Sequence, residues 1–208
     1  MRLTFLLAFL LISFLGVYLN TNNIGLGKNF GPLMRSPDKS EDISIRLKDF
    51  GDAANKYVGK HDFNRKYCFL IDMRISSANK RFFIYDFSKK QSIDAGLVAH
   101  GSGLNDTAEI AFSNIPGSNC SSLGKYRIGQ AYQGKFGLAY KLHGLEETNE
   151  NAFERFVVLH AHSCVPEEEV NASICESWGC PTVAPAYLEK LQGLIDRSRK
   201  PVLLWIYN

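Results

Sequence analysis

Between Ser40 and Lys60 the apolar residues Ile43, Leu47, Phe50, Ala54, Tyr57 and Val58 recur at helical spacing, which lays one face of an α-helix against a core. Ser40, followed by the acids Glu41 and Asp42, supplies a start signal: a side-chain oxygen for the free N–H groups and negative charge at the positive end. From Tyr67 the period changes. "YCFLIDMRI" and "KRFFIYDF" are rich in β-branched and aromatic residues and are separated by "SSANK", a hairpin pattern. "SIDAGLVAHG", "LGKYRIGQAY", "FGLAYKLHG" and "FVVLHAHS" continue the strands, with Gly, Asn and Ser clusters between them. Near the end "APAYLEKLQGLIDRS" returns to helical periodicity and "VLLWIY" closes as a strand. The pattern predicts a mainly β protein with a helix near each end and no internal repeat.

The first 19 residues, "MRLTFLLAFLLISFLGVYL", stand apart from this alternation. They are longer than a usual signal-peptide core and close to the lower limit for a membrane-spanning helix. No good pair of small residues follows at cleavage spacing, so export is expected while cleavage and retention as an anchor both stay open. Residues 20–40, rich in Asn, Gly, Pro and Ser, read as a tether. The expected organisation is therefore leader or anchor (1–19), linker (20–40), helical segment (41–66) and β-rich domain (67–208).

Composition changes this picture little. A chain of 208 residues with 45% hydrophobic and 22% charged residues suits one globular domain with a real core. The net charge of +3 is small and scattered, and no nucleic-acid-binding motif accompanies it, so no nucleic-acid partner is expected. The cysteines change it more. Cys68, Cys120, Cys164, Cys175 and Cys180 are five, and an odd number leaves at least one thiol without an internal partner. Cys180 is the candidate, because "SWGCPTV" sets it on a Gly-Cys-Pro turn, where a thiol is exposed and backbone N–H groups point at its target.

On an alternating strand "RFVVLHAHSC" brings His160, His162 and Cys164 to one face, with Cys180 sixteen residues beyond Cys164. Three readings compete. The histidines are ordinary strand residues and the cysteines structural; or two His and three Cys form a zinc site, although no Cys-x-x-Cys pair occurs; or a Cys–His pair acts as a nucleophile, the imidazole lowering the thiol pKa.

"VVLHA" followed by "SWGCP" resembles the L,D-transpeptidases of bacterial cell walls, whose signature is a His ending a strand, a loop, and then Ser/Thr-His-Gly-Cys. "LVAHGSG", "FSNIPGSNCSSLGKYRIG" and "YKLHGLEETNENAFERFVVLHA" occur in the order of a divergent branch, the murein L,D-transpeptidase catalytic domain, over Tyr67 to Asn208. The resemblance implies a β-sandwich or barrel with flanking helices and a thiol mechanism with neither metal nor organic cofactor. It implies that Cys180 is the nucleophile and His160 the base, with His162 the alternative. Backbone N–H groups around Gly179 and Cys180 would form the oxyanion hole. Trp178 departs from the signature His, and Pro181-Thr182 from the usual residues after the Cys.

The substrate implied is a peptidoglycan stem peptide in the periplasm or cell envelope. Cys180 would attack the carbonyl of its third residue, and D-Ala would leave. An amine of a second stem or water would then resolve the thioester, giving crosslinking or carboxypeptidase activity. Substrate contacts are expected from His143, Ser177, Trp178 and Arg155. His143 and His100 sit beside glycines at strand ends, where a hydrogen-bonded turn histidine is an equal alternative. Arg155 either meets a stem-peptide carboxylate or pairs with acids of the protein itself. The Trp178 substitution keeps a second function in view, a catalytically silent wall-binding module with the same fold.

Overall fold

The computed structural model describes residues 39–103 and 110–208. The expected leader and most of the expected linker lie outside them. Among the described residues no helix is long and apolar enough to cross a membrane.

Helix α1 (Lys39–Lys60) begins two residues before the expected segment and ends six residues before its limit at residue 66. Ala54 and Val58 are buried with Phe63 against Cys68, Leu70, Phe83, Tyr85, Leu203 and Tyr207, each fully buried large apolar side chain contributing roughly 1.5–3 kcal/mol. The helix comes so close to the sheet at Gly51 that a Cβ there would overlap the Tyr85 ring.

Among the described residues nine strands follow: β1 (Tyr67–Asp72), β2 (Phe82–Asp86), β3 (Gln91–Gly96), β4 (Val98–Ala99), β5 (Gly124–Gly134), β6 (Gly137–Gly144), β7 (Val158–Ala161), β8 (Thr182–Val183) and β9 (Leu203–Tyr207). Helix α2 (Pro185–Ile195) lies between the last two, with Pro at its start, where a missing N–H costs nothing. The strands form one sheet in the order β3-β2-β1-β9-β5-β6-β7-β8-β4. Its two outer strands are consecutive in the chain, separated by Leu97 alone, so the sheet curls into a nearly closed barrel. The inward residues Phe69, Ile71, Phe82, Ile84, Tyr126, Tyr140, Leu142 and Leu159 form its core with Tyr187, Leu188 and Leu191 of α2. Strand β1 is buried on both faces because its alternate residues meet this core and α1.

Arg81 fastens the place where β3 gives way to β4. Fully buried, it donates its backbone N–H to Gly96 O and its guanidinium to Val98 O, Ile75 O and His100 Nδ1.

Besides the division of "SIDAGLVAHG" into β3 and β4, three elements differ from the sequence pattern. "YCFLIDMRI" stops as a strand at Asp72, whose carboxylate and carbonyl accept the N–H groups of Arg74 and Ile75 and turn the chain. "FVVLHAHS" is strand only over Val158–Ala161. Val165 N–H bonds His162 O and Cys164 N–H bonds His162 Nδ1, so the chain turns at His162. Cys164 therefore does not share a strand face with His160. The third difference is β8, two residues that pair parallel with β7; two residues are too short to show alternation.

Candidate functional site

The β7–β8 register sets His160 opposite Thr182 and Ala161 opposite Val183. Cys180 lies two residues before Thr182, so the pairing carries the Gly-Cys-Pro turn to the end of β7. Proline closes the turn without needing a ladder hydrogen bond.

Four groups fix the turn. Ser177 Oγ lies 2.6 Å from Cys180 O and accepts the N–H of Gly179 at 3.2 Å. The backbone of Ser177 bonds His100 O and receives Ser102 N–H. Ser121 Oγ donates to Gly179 O at 3.3 Å and accepts Gly101 N–H at 3.0 Å. Gly179 has φ +107°, and a Cβ on it would stand 2.7 Å from Cys120 O. Both its backbone angle and its packing demand glycine. Its N–H is spent on Ser177, whereas among the described residues no acceptor pairs with the N–H of Cys180. Of the two expected oxyanion donors, Cys180 is the one left open.

The sulfur of Cys180 is partly exposed and meets backbone. Val158 N–H points to Sγ at 3.5 Å, and the thiol faces Phe156 O at 3.7 Å. Phe156 takes φ +57° while the residue is 82% exposed, an unfavourable backbone state for a bulky residue that turns its carbonyl to the sulfur.

The His160 ring does not bond the sulfur. Its Nδ1 donates to Ala161 O at 3.1 Å, which leaves Nε2 as the acceptor, and Thr182 Oγ1 occupies Nε2 at 2.9 Å. Burial holds the His160 pKa below its ordinary value, with the Ala161 bond opposing it. Burial also pushes the Cys180 thiol up, against the opposing influences of Val158 N–H and Arg155. The expected imidazole-lowered thiol is thus not the resting arrangement, because Thr182 stands where the sulfur was expected to bond.

Two cavities meet at Cys180. One, of about 210 Å³, is bordered by His162, Glu176, Ser177 and Trp178; the other, of about 240 Å³, by Tyr132, Lys135, Phe156 and Val158. Cys180, His160 and Phe136 line both. Phe136, at the tip of the β5–β6 hairpin, stacks on His160 at 5.2 Å and meets His162 edge-on at 5.3 Å. A register shift between Ile128 and Ala131 bends this hairpin.

The fold brings Cys180, Gly179, Ser177, Trp178 and His160 together, with His162 at the margin of the first cavity. Trp178 is 80% exposed. His143 is elsewhere. It lies four residues along β6 from Ala139, the partner of His160, roughly 13 Å away, and stacks on Phe153 at 4.8 Å. Arg155 is close to the turn but directed inward to four protein acceptors. Cys164 and Cys175 form a disulfide in the wall of the first cavity, so neither offers a thiolate to a metal. Cys68, Cys120 and Cys180 are free, and the first two are buried. Sequence reasoning missed Thr182, Phe136 and Phe156. An aromatic residue on the tight turn "GKFG" was the available signal for Phe136; the roles of the other two depend on strand pairing and a backbone angle.

The site is a cysteine and a histidine brought together at the end of β7 in a nearly closed, mainly β barrel, and comparison with known proteins gives the family of this domain. Residues 41–207 match the model of the L,D-transpeptidase catalytic domain, and the chain belongs to that family. Among solved structures, the L,D-transpeptidase from Xylanimonas cellulosilytica is 12% identical, with 68% of this chain and 60% of that one aligned and a TM-score of 0.37. A mutant of the helical cell shape determining protein Pgp2 from Campylobacter jejuni is 14% identical over 77% and 54% of the two chains, with a TM-score of 0.45. An L,D-transpeptidase from Mycobacterium smegmatis is 8% identical over 69% and 59%, with a TM-score of 0.39. The chain thus spans less than two thirds of each of these proteins. No curated protein matches it.

Proposed function

We propose that this protein is a cysteine L,D-transpeptidase acting on peptidoglycan stem peptides, with Cys180 as nucleophile and His160 as base. The observation that carries the reading is the family match over residues 41–207, joined to a free, partly exposed thiol where two cavities meet. Sγ attacks the carbonyl carbon of the third stem residue, and its proton passes to His160 Nε2 as Thr182 yields that position. The tetrahedral oxyanion takes the N–H of Cys180. The C–N bond to D-Ala breaks, and His160 returns the proton to the departing amine. The resulting thioester is resolved by an amine of a second stem or by water, one from each side of the sulfur if the two cavities hold donor and acceptor.

An envelope location accords with this substrate, and the Cys164–Cys175 disulfide suits an oxidising compartment. Export through residues 1–19 belongs to the same proposal.

The test is incubation of the protein with disaccharide-tetrapeptides and mass analysis of the products beside Cys180→Ala. Release of D-Ala by the wild type alone is expected. Binding without any release would contradict the enzyme and leave a wall-binding module.

A further inference from the structure

Among the described residues Arg155 is a cation with no anionic partner. Its Nη1 donates to Ser113 O at 2.8 Å and Ser122 Oγ at 2.5 Å, and its Nη2 to Cys120 O at 2.7 Å and Ser118 Oγ at 3.2 Å. All four acceptors are neutral. Among the described residues no carboxylate forms an ion pair with it. A partly buried guanidinium in that position carries a desolvation cost that neutral acceptors offset only in part.

Its surroundings show where an anion would form. Nη2 lies 3.4 Å from the position a Cβ would take on Gly179, and it bonds the same Cys120 O that this Cβ would crowd, so the guanidinium packs against the turn at the residue before Cys180. Phe156 and Val158, which touch Sγ, follow Arg155 in the chain. The other titratable groups facing the sulfur's surroundings among the described residues are His160, His162 and Glu176 around the first cavity, Tyr132 and Lys135 at the second and buried Tyr126 beneath. Glu176 is at the outer rim and opposes a negative sulfur; Lys135 is on the hairpin. Arg155 alone is a permanent positive charge built into the floor of the turn.

We propose that the Arg155 guanidinium is the resident counter-ion of the Cys180 thiolate. This rests on the reading of Cys180 as nucleophile. When the thiol proton moves to His160 Nε2, the electron pair left on Sγ faces the guanidinium through the Gly179–Cys180 turn. As the S–C bond forms, that charge passes to the carbonyl oxygen. Arg155 acts through Cys180, as a positioning residue, and the resting hydrogen bonds fix it without neutralising it. The direction in which Arg155 moves the Cys180 thiol, downward against the effect of burial, agrees with the geometry. Lysine keeps the charge and loses the planar fork that reaches two acceptors on each side.

The experiment is the pH dependence of iodoacetamide alkylation at Cys180, read by peptide mapping of the folded full chain. Arg155→Met should move the profile to higher pH and slow alkylation at pH 7 about tenfold or more, one pH unit of displacement being tenfold in thiolate. Arg155→Lys should keep most of the wild-type profile. Ser122→Ala, which deletes an acceptor and leaves the cation, should not move it. A wild-type profile in folded Arg155→Met, or an equal displacement in Ser122→Ala, would overturn the proposal. Should Arg155→Met fail to fold, the Lys variant decides: a displaced profile there counts against the charge. The two readings fail separately. An Arg155-dependent thiolate without D-Ala release leaves the counter-ion standing and removes the transpeptidase. D-Ala release with a profile indifferent to Arg155 does the reverse.

Discussion

At Cys180 the sulfur meets the backbone of Phe156 and Val158, and the imidazole expected beside it meets Thr182 instead. A donor hydrogen bond to Nε2 favours the neutral ring, so Thr182 keeps His160 able to accept a proton and also stands in the way of the thiol. Removing that hydroxyl by Thr182→Val should raise the pKa of His160 in an NMR titration; a fall would show that the hydroxyl accepts from the ring rather than donating to it. His160→Ala should cut turnover by roughly a hundredfold or more, as for loss of a general base, and His162→Ala by much less. The converse pattern would transfer the base to His162, which flanks the same cavity and bonds Cys164 N–H. Cys180 and His160 were readable as candidates, since a Gly-Cys-Pro turn and a strand-end His are local signals. The Thr182 contact was not, because it joins two segments through a parallel pairing.

The elements around the site are short, and their joints carry its geometry. Strand β8 has two residues, yet its pairing with β7 aligns Cys180 with the end of the histidine strand. The opposite joint, between β3 and β4, depends on Arg81 and His100. His100 Nδ1 accepts from Arg81 at 3.0 Å, so a proton there would set two cations against each other. Burial and Arg81 lower the His100 pKa to about 4 from its ordinary 6.5. The unfolded chain therefore takes up this proton before the folded one does. Stability contributed by neutral His100 is complete above about pH 6.5 and falls as the pH drops towards 4, by on the order of 3 kcal/mol. Buried His160 adds in the same direction. Urea unfolding from pH 7 to 4 should show that loss, and His100→Gln, which still offers Arg81 an acceptor, should flatten it. An unchanged slope in the variant would contradict the assignment. Sequence periodicity located these strands but ran β3 and β4 together, because the break at Leu97 is a change of sheet partner and leaves the apolar pattern continuous.

Over the whole molecule, alternation and helical spacing were enough for a mainly β domain with a helix at each end. Closure was not legible. It depends on β1 lying parallel to β9 across most of the chain and on β4 reaching β8, pairings that no local pattern encodes. Closure is also what makes the site, since it brings the His100–Ser102 segment, the Ser113–Ser122 loop and the Ser177–Cys180 turn to one end of β7. The proposed mechanism requires this assembly to make a thioester at Cys180. The most direct measurement is rapid-quench intact-mass analysis with a disaccharide-tetrapeptide, followed by peptide mapping. The expected result is a gain equal to the substrate less D-Ala, located on Cys180, released by hydroxylamine and absent from Cys180→Ser. The same gain on another residue, or turnover that persists in Cys180→Ser without it, would rule out Cys180 as the nucleophile.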